Sequence, residues 1–231
     1  MRVARIILIV VVVLGGLFVA ADRIAVSVAE KKAAEQAQIS EGLAHRPDVS
    51  IEGFPFLTQA AAGKLDEVKI TAGDIAAGEG DRSVRIEIFH ADLHGVVLSD
   101  NYHRAVADSA DGNAFLTYED LTQAAPDGIT VSYPGPSKDG KAMVKLTASF
   151  QGAHVSVLSR LSVRGADTIG LHAVNLPKAI TALGLEDDLR RQIDFTTRLT
   201  HLPANIALTS VTTAPGGISV EASGKHVVLA D

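Results

Sequence analysis

The sequence predicts an α+β chain in which a long amino-terminal helix precedes a mostly antiparallel sheet. Three observations lead there. From Asp22 to about Leu43 the chain is rich in Ala, Glu, Gln and Lys, with no Gly or Pro before Gly42. Beyond Arg46-Pro47 the apolar pattern switches to period two. Glycine and proline turns then separate the periodic runs. With 231 residues, the chain is long enough for a substantial core, and one domain over residues 23–231 is expected.

Ahead of the helix, Arg2 and Arg5 precede an apolar run from Ile6 to Ala21, closed by Asp22 and Arg23. A membrane-spanning helix needs about 20 apolar residues, and about 17 is the lower limit. The run therefore falls between a long signal-peptide core and a short anchor. Ala20-Ala21 offers small residues for cleavage before Asp22. Residues 1–22 are expected to be a signal peptide or an amino-terminal membrane anchor, and the rest is expected to work outside the cytoplasm.

Within the helix, Ile24 and Val28 are four apart and suggest an apolar stripe continuing through alanines toward Ile39 and Leu43, with Glu30, Lys31, Lys32 and Glu35 opposite. Alternation marks strands at Val84-Ile86-Ile88 and Val144-Leu146. Further strands are expected at Val68-Ile70, Ile129-Val131, Val155-Val157, Ile169-Leu171, Phe195-Leu199, Ile206-Leu208, Ile218-Val220 and Val227-Leu229. The turns include Gly78-Glu79-Gly80-Asp81, Pro134-Gly135-Pro136, Lys138-Asp139-Gly140 and Pro215-Gly216-Gly217. Short helices are expected from Thr117 to about Ala125, from Pro177 to about Leu183, and from Glu186 to Ile193.

Composition narrows the function. There is no cysteine, so disulfides, thiolate catalysis and cysteine metal sites are excluded. A net charge of -6 and a pI near 5.7 argue against a nucleic-acid partner. Hydrophobic residues make up 47% but aromatic ones only 4%, giving an aliphatic interior that suits an acyl chain or an ordinary core.

The most informative segment is Gly53-Phe54-Pro55-Phe56-Leu57-Thr58-Gln59, followed by Gly63, Leu65, Val68 and Ile70. Gly53 allows an unusual backbone conformation, Pro55 fixes one turn angle and makes Phe54 extended, and two phenyl rings flank the proline. The result is a rigid apolar corner. The segment resembles the opening motif of the LmeA family of phospholipid-binding proteins from actinobacterial cell envelopes. Phe115-Leu116-Thr117-Tyr118 with Asp120-Leu121 is similar to that family's mid-chain strand-to-helix element. Leu202-Pro203, Ile206, Leu208, Ser210-Val211, Gly217-Ile218, Val220, Gly224 and Val227 are similar to its closing strands. Where the family commonly has a glycine before the strand at Ile206, this chain has Asn205, the non-glycine residue best suited to a left-handed turn.

The resemblance implies a tubular lipid-binding architecture, with a strongly curved antiparallel sheet around the long helix and two or three short helices. It implies a non-enzymatic protein that holds or transfers a phospholipid in an apolar groove and supports envelope lipid or lipoglycan (mannan) assembly. Its partners would be phospholipid, the membrane surface and an envelope glycosyltransferase, with no cofactor. Phe54, Pro55, Phe56, Leu57, Leu65, Val68 and Ile70 are the expected groove residues, against the alternative that they are core. A membrane-tethered adaptor without lipid is the second expectation.

Catalytic signals are weak. His90 and His94 have helical zinc spacing but lie in a strand leading to a turn at Gly95, without the catalytic Glu. Asp108, Asp111 and Gly112 begin a calcium-loop pattern that then stops, and an exposed turn is expected there. No Gly-x-Ser-x-Gly elbow is present. Glu186, Asp187, Asp188, Arg190 and Arg191 read as a solvated helix face.

Overall fold

The computed structural model describes residues 2–77, 83–99, 104–137, 139–150, 153–176, 190, 194–198 and 202–230. Helix α1 (Arg2–Ser40) leads into β1 (Asp48–Glu52), α2 (Phe56–Ala62), β2 (Lys64–Ala77), β3 (Val84–Ser99) and β4 (Arg104–Thr117). There follow α3 (Tyr118–Ala124), β5 (Ile129–Ser132), β6 (Met143–Phe150), β7 (Ala153–Val163) and β8 (Thr168–Asn175). The chain closes with β9 (Phe195–Arg198), β10 (Ile206–Ala214) and β11 (Gly217–Ala230). The six-stranded sheet has the order β1-β2-β3-β4-β11-β10 and the five-stranded sheet β5-β6-β7-β8-β9, with every pairing antiparallel. The larger sheet curves around the second half of α1.

Two cores share the inner face of that sheet. Near α2, Val26 and Ala34 of α1 pack with Val49, Leu65, Val68, Leu93, Val96, Ala107, Ala110 and Val227 from five strands. At the other end, Leu116, Leu208, Ile218 and Val220 pack against Val144, Leu146, Val157, Leu171 and Ala173 of the smaller sheet. Strands β3, β4 and β11 are long enough to contribute to both cores. The Leu208 amide donates to the Ala166 carbonyl at 2.7 Å, and the Met143 amide to Thr213 Oγ1 at 3.3 Å, joining β10 to the smaller sheet.

The inward face of α1 differs from the stripe its sequence suggests. Ile24 and Val28 are 68% and 48% exposed, while Asp22, Val26 and Ala34 point inward. The inward face is selected by backbone donors as well as by hydropathy. Glu30 Oε1 accepts the Ile51 amide of edge strand β1 at 2.9 Å, and Asp22 Oδ1 accepts the Leu57 amide at 2.8 Å. An edge strand and a helix start both carry amides that need partners.

The large sheet also breaks strict alternation at a level that crosses four strands. Inward residues three apart, Leu65 and Val68, Leu93 and Val96, Ala107 and Ala110, Gly224 and Val227, line up across four strands. The pairing skips Asp66, Gly95, Asp108 and His226 between them, and Gly95 and His226 have φ of 61° and 51°. This transverse crease shifts each strand's facing by one residue. A Cβ on Gly95 would sit 2.3 Å from Asp108 Oδ2. Gly95→Ala is therefore expected to destabilise the fold by about 1–3 kcal/mol, measured by denaturant unfolding.

Several expectations are corrected here. Only the end of β4, at Phe115–Thr117, was expected as strand: its Asp108, Asp111 and Gly112 form the middle of a central strand and not an exposed turn. β3 continues through Gly95, and β11 runs unbroken where two strands were expected. β1 and α2 were also missed. Thr117 caps α3 as expected, its side chain accepting the Asp120 amide, and Asn205 adopts φ 68°. The turn at residues 78–81 and most of the segment expected as helix between Pro177 and Ile193 lie outside the described residues.

Candidate functional site

The apolar corner splits between surface and core. Phe56, Leu65 and Val68 are buried in the core beside α1, with Leu57 and Ile70 packed against it. Phe54 stands outside at 59% exposure, and Pro55 is half-buried. Thr58 Oγ1 donates to the Pro55 carbonyl at 2.8 Å, and Gln59 Oε1 accepts the Asp66 amide at 2.8 Å, so both polar side chains serve the local backbone. Pro55 occupies the N-cap of α2 without a side-chain cap, and Asp22 supplies it from α1. Burial pushes the Asp22 carboxyl up. The amides of Leu57 and Phe56, with the Arg23 guanidinium at 2.6 Å, outweigh it and hold the group below the usual range.

Between the two cores, the register aligns three rows of inward positions. Next to the α1 core runs Val68–Leu93–Ala110–Gly224–Ile206; then Ile70–Ala91–Gly112–Ala222–Leu208; then Ala72–Phe89–Ala114–Val220–Val211. Large side chains bound the outer strands, while the middle of the patch is Ala91, Ala110, Gly112, Ala114, Ala222 and Gly224. Ala91 and Phe89 pack into neither core. Ala91, Gly112, Ala114, Ala222 and Gly224 are half-buried. These small side chains stand lower than the larger ones beside them, and this patch, with the Phe89 ring edge reaching to Gly112, is the candidate trough. Strand geometry makes the small-residue patch about 14 Å along β4 and about 10 Å across β3, β4 and β11. One leaflet of a bilayer's hydrocarbon is about 15 Å thick, so the trough matches an acyl chain in scale.

Sequence reasoning passed over these residues because Ala and Gly are poor strand formers and carry little hydropathy. The available signal was the alternation Ala110, Gly112, Ala114, Leu116 against Asp111, Asn113 and Phe115.

Elsewhere, the charged groups serve the architecture. Asp120 is buried at the start of α3, where burial raises its pKa but Arg85 and Thr117 lower it further. Arg85 also pairs with Asp74 and is held above its usual value, chiefly by Asp120. Asp194 meets His172 Nδ1 at 2.6 Å and accepts the Ala173 amide, with Arg190 donating to the Ala173 carbonyl. Ser159 is fully buried opposite Ala173, and its hydroxyl has no partner. Leu171 and Ala173 face the core, so His172 between them faces the other way, and Ser159, His172 and Asp194 do not form a nucleophilic relay. Ser159→Ala is expected to be neutral or to stabilise by up to about 1 kcal/mol, read by thermal unfolding. His90 and His94 sit about 13 Å apart along β3, too far to share a metal. An open depression beside α3 is lined by Thr122, Gln123, Pro126, Asp127, Ile129 and Thr147, polar and apolar in near-equal measure.

A family model described as LmeA-like phospholipid-binding matches residues 20–223, which include Asp22, the apolar corner and all of the small-residue patch but Gly224. No curated protein and no solved structure matches the chain.

Proposed function

Because the chain belongs to the LmeA-like phospholipid-binding family, we propose that the trough between its two cores holds an acyl chain of a phospholipid. The carrying observation is the row Ile70–Ala91–Gly112–Ala222–Leu208, an apolar row whose three central residues are Ala, Gly and Ala between larger aliphatic side chains. Val68 and Ile70 belong to the floor, while Phe56, Leu57 and Leu65 pack behind it and fix its α1 end.

Exposing one methylene to water costs about 0.8 kcal/mol, so a sixteen-carbon chain costs about 12 kcal/mol. A carrier overcomes this by exchanging one apolar surrounding for another. The protein acts without covalent chemistry: it sequesters the lipid, presents it or moves it. The apolar half of α1, exposed from Val3 to Ala21, serves as signal anchor or signal sequence and places the domain outside the cytoplasm. There the protein supports lipid or lipoglycan assembly, handing lipid to an envelope glycosyltransferase.

Mass spectrometry of organic extracts tests the binding claim, using the purified full chain after exposure to mixed-phospholipid vesicles and their removal. About one phospholipid per chain is expected. A folded chain that recovers none would favour the adaptor alternative.

A further inference from the structure

We propose that the α2 end of the domain is a bilayer-docking surface, in which Phe54 and Ile24 enter the headgroup and upper acyl region and Arg23 meets lipid phosphates. This rests on α1's apolar half crossing the membrane. The helix is unbroken from Arg2 to Ser40, and the first residue after its apolar run, Asp22, is already fully buried in the domain. Its bond to the Leu57 amide ties α1 to α2 directly, so no linker separates the span from the folded part. Whatever surrounds Asp22 must lie at the membrane surface.

The side chains there suit that position. Phe54 is 59% exposed and Ile24 68%, and the Arg23 guanidinium lies 5.4 Å from the Phe54 ring centroid. Two other exposed aliphatics belong to the same sheet end: Val97 pairs with Lys64 at the start of β2, and Leu229 lies at the irregularity that ends the pairing of β11 with the start of β4. An aromatic ring, an arginine able to reach phosphate and scattered aliphatics form the usual interfacial set. Phe54 is separated from the trough by the α1 core, so it acts on the membrane and not on the bound lipid.

The chain contains no Trp, which makes single indoles clean reporters. The full chain is reconstituted in phosphatidylglycerol–phosphatidylethanolamine vesicles with bromine at graded acyl depths. Phe54→Trp is expected to emit at short wavelength and to be quenched most by bromines nearest the glycerol. Leu14→Trp should be quenched by the deep bromines. Ile39→Trp, 78% exposed at the far end of α1, should be unquenched. Phe54→Trp quenched no more than Ile39→Trp, while Leu14→Trp is quenched, overturns the docking surface and leaves the anchor standing. An unquenched Leu14→Trp removes the anchor and the proposal with it. Neither result bears on lipid recovery by the trough.

Discussion

Gly112→Leu is expected to leave the protein folded while reducing phospholipid recovery at least tenfold. A Cβ at Gly112 would meet Phe89 at 3.7 Å, the His90 carbonyl at 3.8 Å and the Ala222 carbonyl at 3.9 Å, all ordinary contacts, and its φ is not left-handed. The backbone therefore accepts a side chain, and leucine improves strand propensity over glycine. The added carbons occupy the space assigned to the acyl chain. A tenfold loss corresponds to about 1.4 kcal/mol, less than the transfer energy of two methylenes. Thermal unfolding should show the variant within a few degrees of the parent, and lipid extraction should show the loss. A destabilised variant would instead mean that the floor is tightly covered. Neighbouring Gly224 is no substitute, since a Cβ there would lie 2.1 Å from the Asn205 carbonyl.

Asp22→Ala should produce the largest fall in stability of any single change on α1, on the order of 5–10 °C in Tm. It leaves the first amides of α2 without a partner and releases Arg23 from its carboxylate. Asp22→Asn keeps an acceptor but loses the charge and should fall between. The folded protein holds the Asp22 carboxyl below the usual aspartate value of about 3.9. Its contribution is then complete above that value and lost as the pH drops through the lower folded value. Asp120, also lowered, follows the same rule. The parent should lose stability below about pH 4, and Asp22→Asn should remove part of that slope and leave the part due to Asp120. An unchanged acid profile would show that the carboxylate does not carry the joint.

Much of the architecture was legible in the residues. The long helix, the antiparallel strands after Pro47, the Thr117 cap and the left-handed Asn205 follow from propensity and turn chemistry. The missed features have a shared cause: local pattern reading ranks positions by hydropathy and alternation. The crease through Asp66, Gly95, Asp108 and His226 breaks alternation in four strands at one level, a relation visible only once the strands are paired. Most of β4 escaped because alanines, a glycine and aspartates do not read as a strand, yet those small residues carry the proposed trough. The buried carboxylate of Asp22 escaped because its partners lie 35 residues away on α2. The apolar corner was the best sequence signal, and the structure places most of it in the core beside α1.

The trough is tested most directly by photocrosslinking the full chain with a phospholipid that carries a photoactivatable group in its acyl chain, then mapping the adducts by peptide mass spectrometry. Adducts concentrated on residues 70–72, 89–91, 110–114 and 220–224, and lost in Gly112→Leu, are the expected result. Adducts confined to the α1 apolar run or spread over the outer faces of the sheets, unchanged by Gly112→Leu, would contradict it.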